Sequence, residues 1–144
     1  MNILVVEDEV RLADTLAHML KTQKFNCDVV YDGADGLAYG ETGIYDCILL
    51  DIMLPKMDGF SICKEVRRYS DVPIMFITAR VNEEDVLNGY ALGCDDYIIK
   101  PFALPVLFEK VKALIKRSKG LVRSSVLTAG TLTLNPNNGI VISD

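Results

Sequence analysis

The feature that most constrains this chain is an alternation of two periodicities. Five short apolar runs recur: Ile3-Leu4-Val5-Val6, Cys27 to Tyr31 with Asp28 inside, Cys47-Ile48-Leu49-Leu50, Ile74-Met75-Phe76-Ile77 and Tyr97-Ile98-Ile99. Each is strand-length, and β-branched residues are frequent among them. Between them lie helix-length segments with apolar residues at helical spacing, such as Leu12, Leu16, Met19 and Leu20, then Ile62 with Val66, then Leu107, Val111, Leu114 and Ile115. Strands that are apolar throughout and joined by helical crossovers form a parallel sheet with helices on both faces, so the expected class is a doubly wound α/β fold with five parallel strands. Helix punctuation agrees: Asp58 and Asn82 suit N-caps, Gly93 suits a helix stop, and Lys112, Lys116 and Arg117 load the last turns of the final helix.

With 144 residues, half of them hydrophobic, the chain can build one domain with a real core plus a remnant. The spacing predicts a domain over 1–118, a linker over 119–126 and an incomplete hairpin over 127–144, read from Leu132, Leu134, the turn Asn135 to Gly139, and Ile140 and Ile142. A lone hairpin is marginal in water, so it is expected to dock or to open a second domain. A net charge of −5 argues against a grip on nucleic acid, which needs a basic face. The four cysteines lie in apolar stretches without CxxC spacing and read as small buried hydrophobes in a reducing compartment. Met1 to Val6 runs straight into Glu7-Asp8-Glu9, too short for a signal peptide's apolar region, and no stretch approaches a membrane span. A cytoplasmic protein without membrane contact is expected.

The residues just past each apolar run carry the chemistry: Glu7-Asp8 after the first, Asp51 after the third, Thr78 after the fourth, Lys100 after the fifth. Open α/β sheets bind ligands at the carboxyl ends of their strands, where strand order reverses. In the flavodoxin-like order 2-1-3-4-5 that crevice lies between the first and third strands, so Glu7, Asp8 and Asp51 meet. Two unit charges about 4 Å apart repel by about 4 kcal/mol at an effective dielectric near 20, so a cation should offset the cluster. A hard, oxygen-preferring ion that keeps several waters points to Mg²⁺. With Lys100 as a point charge and Thr78 as a hydroxyl donor, the set holds the parts of phosphoryl transfer: a nucleophilic carboxylate, a metal, and donors for the equatorial oxygens.

Each residue alone has a plainer reading. An Asp after a strand is more often an N-cap, a lone Lys a solvated surface group, a lone Thr a turn residue; their coincidence on one sheet edge is what counts. His18 reads as an ordinary surface histidine, Met53 and Met57 as packing, and Glu83-Glu84-Asp85 as a solvated first turn favoured by the helix dipole.

The stretches Val5-Val6-Glu7-Asp8-Glu9, Leu50-Asp51-Ile52-Met53-Leu54-Pro55-Lys56-Met57-Asp58-Gly59, Ile77-Thr78-Ala79-Arg80 and Gly93-Cys94-Asp95-Asp96-Tyr97-Ile98-Ile99-Lys100-Pro101-Phe102 resemble the receiver domain of two-component response regulators of the OmpR/PhoB type, over residues 1 to about 118. The resemblance implies that Asp51 is the phosphoacceptor, that Asp8 binds Mg²⁺ directly, Glu7 mostly through water, and Met53 through its backbone carbonyl. It further implies that Thr78 and Lys100 hold the phosphoryl oxygens, that Tyr97 swings inward when Thr78 moves, and that Lys100-Pro101 is cis. A sensor histidine kinase would be the phosphodonor, and the protein a switch with at most slow self-dephosphorylation rather than an enzyme. The tail is similar to the opening strands of a winged-helix effector, so DNA contact and control of transcription would come only from a domain this chain lacks.

The family's symmetric dimer face uses the fourth helix, fifth strand and fifth helix, usually with a basic residue where Val86 stands and an acid where Val106 stands. Asp95 and Asp96 against Lys110 and Arg117, around Leu87, Tyr90 and Phe108, are the expected remainder of a homodimer face. The main rival is a Mg²⁺-dependent aspartate-nucleophile phosphatase of the haloacid-dehalogenase class, which places a second Asp two residues after the nucleophile; here that position is Met53. A flavodoxin-like cofactor binder would want a glycine-containing phosphate loop where Glu7-Asp8-Glu9 stands. A receiver-like module that is never phosphorylated is the third alternative.

Overall fold

The structure, a computed structural model, describes residues 1–79 and 82–127, the side chains of 120–127 excepted. The chain divides into two units, Met1–Leu114 and Ile115–Asp144. The first alternates β1 (Asn2–Val6), α1 (Val10–Thr22), β2 (Asn26–Val30), α2 (Gly33–Gly40), β3 (Cys47–Leu50), α3 (Gly59–Val66), β4 (Ile74–Thr78), α4 (Glu83–Ala91), β5 (Asp96–Ile99) and the start of α5 (Leu104–Leu127). The five strands form one parallel sheet in the order β2-β1-β3-β4-β5, as the sequence pattern predicts.

Register fixes where the strand ends fall. Val6 pairs with both Val30 and Leu50, Leu50 with Phe76, and Phe76 with Tyr97. Glu7 and Asp51 therefore leave neighbouring strands at the same level, tied by the Asp51 N–H donating to the Val6 carbonyl at 3.0 Å. The inner strands are buried on both faces: Ile3 to Val6, Cys47 to Leu50 and Ile74 to Thr78 expose almost nothing. Side chains alternate across a strand, so Leu4, Val6, Ile48, Leu50, Ile74 and Phe76 share one core with Ile62, Cys63 and Val66 of α3. All four cysteines are free and buried, and burial pushes the Cys47 thiol up to about 12, as befits inert packing.

The helix ends follow local chemistry. Asp32, Asp58 and Asn82 each accept a hydrogen bond at 2.8 Å from the backbone N–H three residues on. Past the end of α4, Gly93 takes φ +101°, and Cys94 N–H returns to the Gly89 carbonyl. Helix α5 continues through 119–126, the stretch expected to be a linker; one glycine costs a helix only about 1 kcal/mol relative to alanine, too little to stop it. The expected hairpin from Thr131 onward lies outside the described residues.

Two features hold the loops around the sheet. Arg67, after α3, donates to Gly93 O (2.8 Å), Ser70 O (3.1 Å) and Val72 O (2.7 Å) and pairs with the Asp95 carboxylate at 2.8 Å. The β3–α3 loop is latched to the start of α2: Gly33 N–H donates to Pro55 O at 2.9 Å, and Lys56 Nζ lies 3.5 Å from Asp32. A Cβ on Gly33 would stand 1.7 Å from the Met57 carbonyl oxygen. Gly33→Ala is accordingly expected to lower the unfolding free energy by about 1–3 kcal/mol, the usual cost of overpacking. Urea denaturation measures it, and wild-type stability would show that the loop yields freely.

Candidate functional site

The site forms where strands β1, β3, β4 and β5 end. Glu7 and Asp8 follow β1 and Asp51 follows β3; an oxygen from each carboxylate lies within 4.8 Å of the others. Glu7 and Asp51 are buried and Asp8 is exposed, so the cluster has an inner wall and an open mouth. Beside Asp8 opens a depression of ≈ 370 Å³ lined by Ile52, Met53, Leu54, Pro55 and Asp58. Met53 N–H donates to Asp51 Oδ1 at 3.2 Å while its side chain stays exposed.

Lys100 enters from the far flank. Its backbone N–H donates to the Thr78 carbonyl at 2.9 Å, extending the β4–β5 pairing and setting the side chain over the crevice. Its Nζ lies 2.8 Å from Glu7 Oε1, 2.8 Å from Glu9 Oε1 and 3.1 Å from Asp51 Oδ2. Burial works against the Lys100 charge, but Glu7, Glu9 and Asp51 together outweigh it and hold its pKa above the ordinary lysine value. Burial pushes Glu7 up to about 7, with Lys100 and the Glu9 N–H offsetting only part of that effect. The contact of Glu7 Oε1 with Lys100 is charge to charge rather than an aligned hydrogen bond, and the oxygen has no aligned partner among the described residues. A buried, under-coordinated carboxylate beside two others is a donor set of hard oxygens that fits a divalent cation, Mg²⁺ above all.

Thr78 closes β4, buried, on the strand beside β3. Tyr97 faces inward: its ring packs on Phe76 and Tyr90, and its hydroxyl donates to the Asp85 carbonyl at 2.8 Å. The ring lies so close over Gly89 that a Cβ there would stand 2.3 Å from the Tyr97 hydroxyl oxygen. The Lys100-Pro101 bond is cis. His18 is exposed on α1.

Compared with known families, the chain matches the model of the response regulator receiver domain over residues 3–112. The chain belongs to that family. It is 42% identical over 139 residues to the transcriptional regulatory protein DltR of Streptococcus agalactiae, covering 96% of this chain and 62% of that protein. It thus spans about three-fifths of the length of such relatives. The solved receiver domain of the Francisella response regulator 1452 is 30% identical with a TM-score of 0.77, covering 81% of this chain and 98% of that one. The receiver domain of the Pseudomonas aeruginosa sensor histidine kinase PA1611, solved with a magnesium ion coordinated in its active-site cleft, is 32% identical with a TM-score of 0.72, over 79% and 96%.

The receiver is a phosphoacceptor module of two-component signalling, and the phosphatase alternative is not favoured, since Met53 stands where such an enzyme needs a proton-transferring carboxyl. The Asp95 carboxylate, although exposed on one side, is held within the protomer by Arg67 and by the Ile74 N–H, each at 2.8 Å. Phe108 sits about 200° around the helix from Val106 and packs edge-on against Phe25, ring centroids 5.9 Å apart. Asp85 is buried rather than solvated, because the inward Tyr97 covers that turn. Glu9 is the site residue missing from the expected set, although a glutamate at an N-cap position, where short side chains are preferred, was the available signal.

The Glu7 shift has a consequence for stability without divalent ions. Its folded-state value of about 7 lies above the ordinary 4.5, so its contribution is complete below pH about 4.5 and is lost as the pH rises through about 7. In a chelator, chemical denaturation should show stability declining over that window in the wild type, and Glu7→Gln should flatten the decline. An unchanged slope would contradict the assignment.

Proposed function

We propose that this chain is the phosphoacceptor switch of a cytoplasmic OmpR/PhoB-type transcription regulator, labelled on Asp51 by a sensor histidine kinase. The observation that carries the reading is the convergence of Glu7, Asp8 and Asp51 within 4.8 Å under the ammonium of Lys100. An Asp51 carboxylate oxygen attacks phosphorus, the bond from phosphorus to the donor's leaving atom breaks, and an acyl phosphate forms. Lys100 and the Thr78 hydroxyl hold the phosphoryl oxygens. Glu7, Asp8, Asp51 and the Met53 carbonyl would hold Mg²⁺, which when bound supplies neutralising charge to those oxygens. Loss of the phosphoryl group by self-hydrolysis is slow. DNA is reached through an effector domain beyond the described residues.

Phosphorylation is read out through a homodimer face on α4, β5 and α5. Leu87, Tyr90 and Val106 are exposed there, Val86 is half-buried, and Asp96 pairs with Lys110 at 3.1 Å within the protomer. Arg117, also exposed, belongs to the second unit of the chain.

Incubation with acetyl phosphate and Mg²⁺ should add one phosphoryl group per chain by intact mass, releasing acetate, and should shift the protein toward dimer on sizing. Asp51→Asn should do neither; a label elsewhere, or repeated turnover of phosphate esters, would defeat the reading. The dimer itself should depend weakly on salt. An exposed ion pair is worth only about 0.2–1 kcal/mol, whereas burying a valine contributes roughly 1.5. Steep weakening of dimerisation by added salt in analytical ultracentrifugation would argue for an ionic face instead.

A further inference from the structure

Glu9 occupies the N-cap position of α1, yet its side chain makes no cap hydrogen bond. Its carboxylate reaches across the crevice to Lys100, 91 residues away in sequence, at 2.8 Å. An ammonium has three N–H groups, and three carboxylates, those of Glu7, Glu9 and Asp51, lie within 3.1 Å of Nζ. Lys100 is therefore surrounded by carboxylates before any phosphoryl oxygen arrives, with Glu9 and Asp51 taking its aligned hydrogen bonds and Glu7 in charge contact.

We infer that Glu9 is a restraining residue that competes with the incoming phosphoryl group for Lys100 and so slows labelling of Asp51 and shortens the life of the product. Among the three partners Glu9 is the one that can yield. Its side chain is 60% exposed and regains water when released, while those of Glu7 and Asp51 are 1% and 7% exposed and cannot. A carboxylate this near the crevice also repels an anionic phosphodonor on approach. Glu9 holds neither metal nor phosphorus; it acts through Lys100, and the inference rests on the reading of Asp51 as phosphoacceptor.

The test compares wild type, Glu9→Gln and Glu9→Ser with acetyl phosphate in Mg²⁺, following label by intact mass and its decay after the donor is removed. Both variants should label roughly two- to five-fold faster and keep the phosphoryl group longer by a similar factor, the range an exposed ion pair supports. Serine can cap α1, so Glu9→Ser should melt no lower than wild type, separating loss of restraint from loss of fold. The advantage of the variants should shrink as salt rises, which a structural role would not produce. Equal or slower labelling of Asp51 in both variants overturns the inference while leaving the phosphoacceptor reading intact. Failure of wild type to label on Asp51 overturns the reading and the inference with it.

Discussion

One positively charged nitrogen holds the functional edge of this fold together. Without the Lys100 ammonium, carboxyl groups from the ends of β1 and β3 would face one another across a few ångströms in a half-buried crevice, a repulsion that the Glu9 and Met53 N–H groups offset only in part. The position of that nitrogen is set far from the charges, by the backbone of β5 aligned on β4. Sheet register and site electrostatics are thus one arrangement: a slip of β5 by one residue would withdraw the ammonium and turn its side chain to the other face.

The same arrangement explains why a receiver can be sensitive to small chemistry. The buried carboxyl of Glu7 sits in an environment that favours its neutral form, and the inward Tyr97 leans on a helix carbonyl rather than on a side chain. Glu7 accepts from the Glu9 N–H and Tyr97 donates to a helix carbonyl, while Asp95 is fastened from two elements at once, by Arg67 and by the Ile74 N–H. The molecule pairs a tightly fastened side, around Arg67 and the α4–β5 turn, with a loosely compensated one, around the strand ends.

Much of this was legible in the sequence, for physical reasons. Apolar runs without alternation reveal strands covered on both faces, and the residues after each run fall on one edge because parallel strands all end there; Glu7, Asp8, Asp51, Thr78 and Lys100 were found that way. A family resemblance names positions but not side-chain contacts, so the hold of Arg67 on Asp95 and the packing of Phe108 on Phe25 are visible only in the structure. The roles of Arg67 and Glu9 are hard to read for another reason, Glu9 being marked only by its unusual N-cap position. Their partners lie 28 and 91 residues away, and no local pattern names the partner of a long side chain that reaches across the fold.

Gly89 and Tyr97 exclude each other's volume. With the ring where it lies, position 89 has no room for even a methyl group, so the two positions cannot drift independently. A lineage that acquired a side chain at 89 would need a smaller residue at 97 or a ring held permanently outside. Joint exchange at these two sites, rather than change at either alone, is the signature such crowding would leave across descendants of this protein.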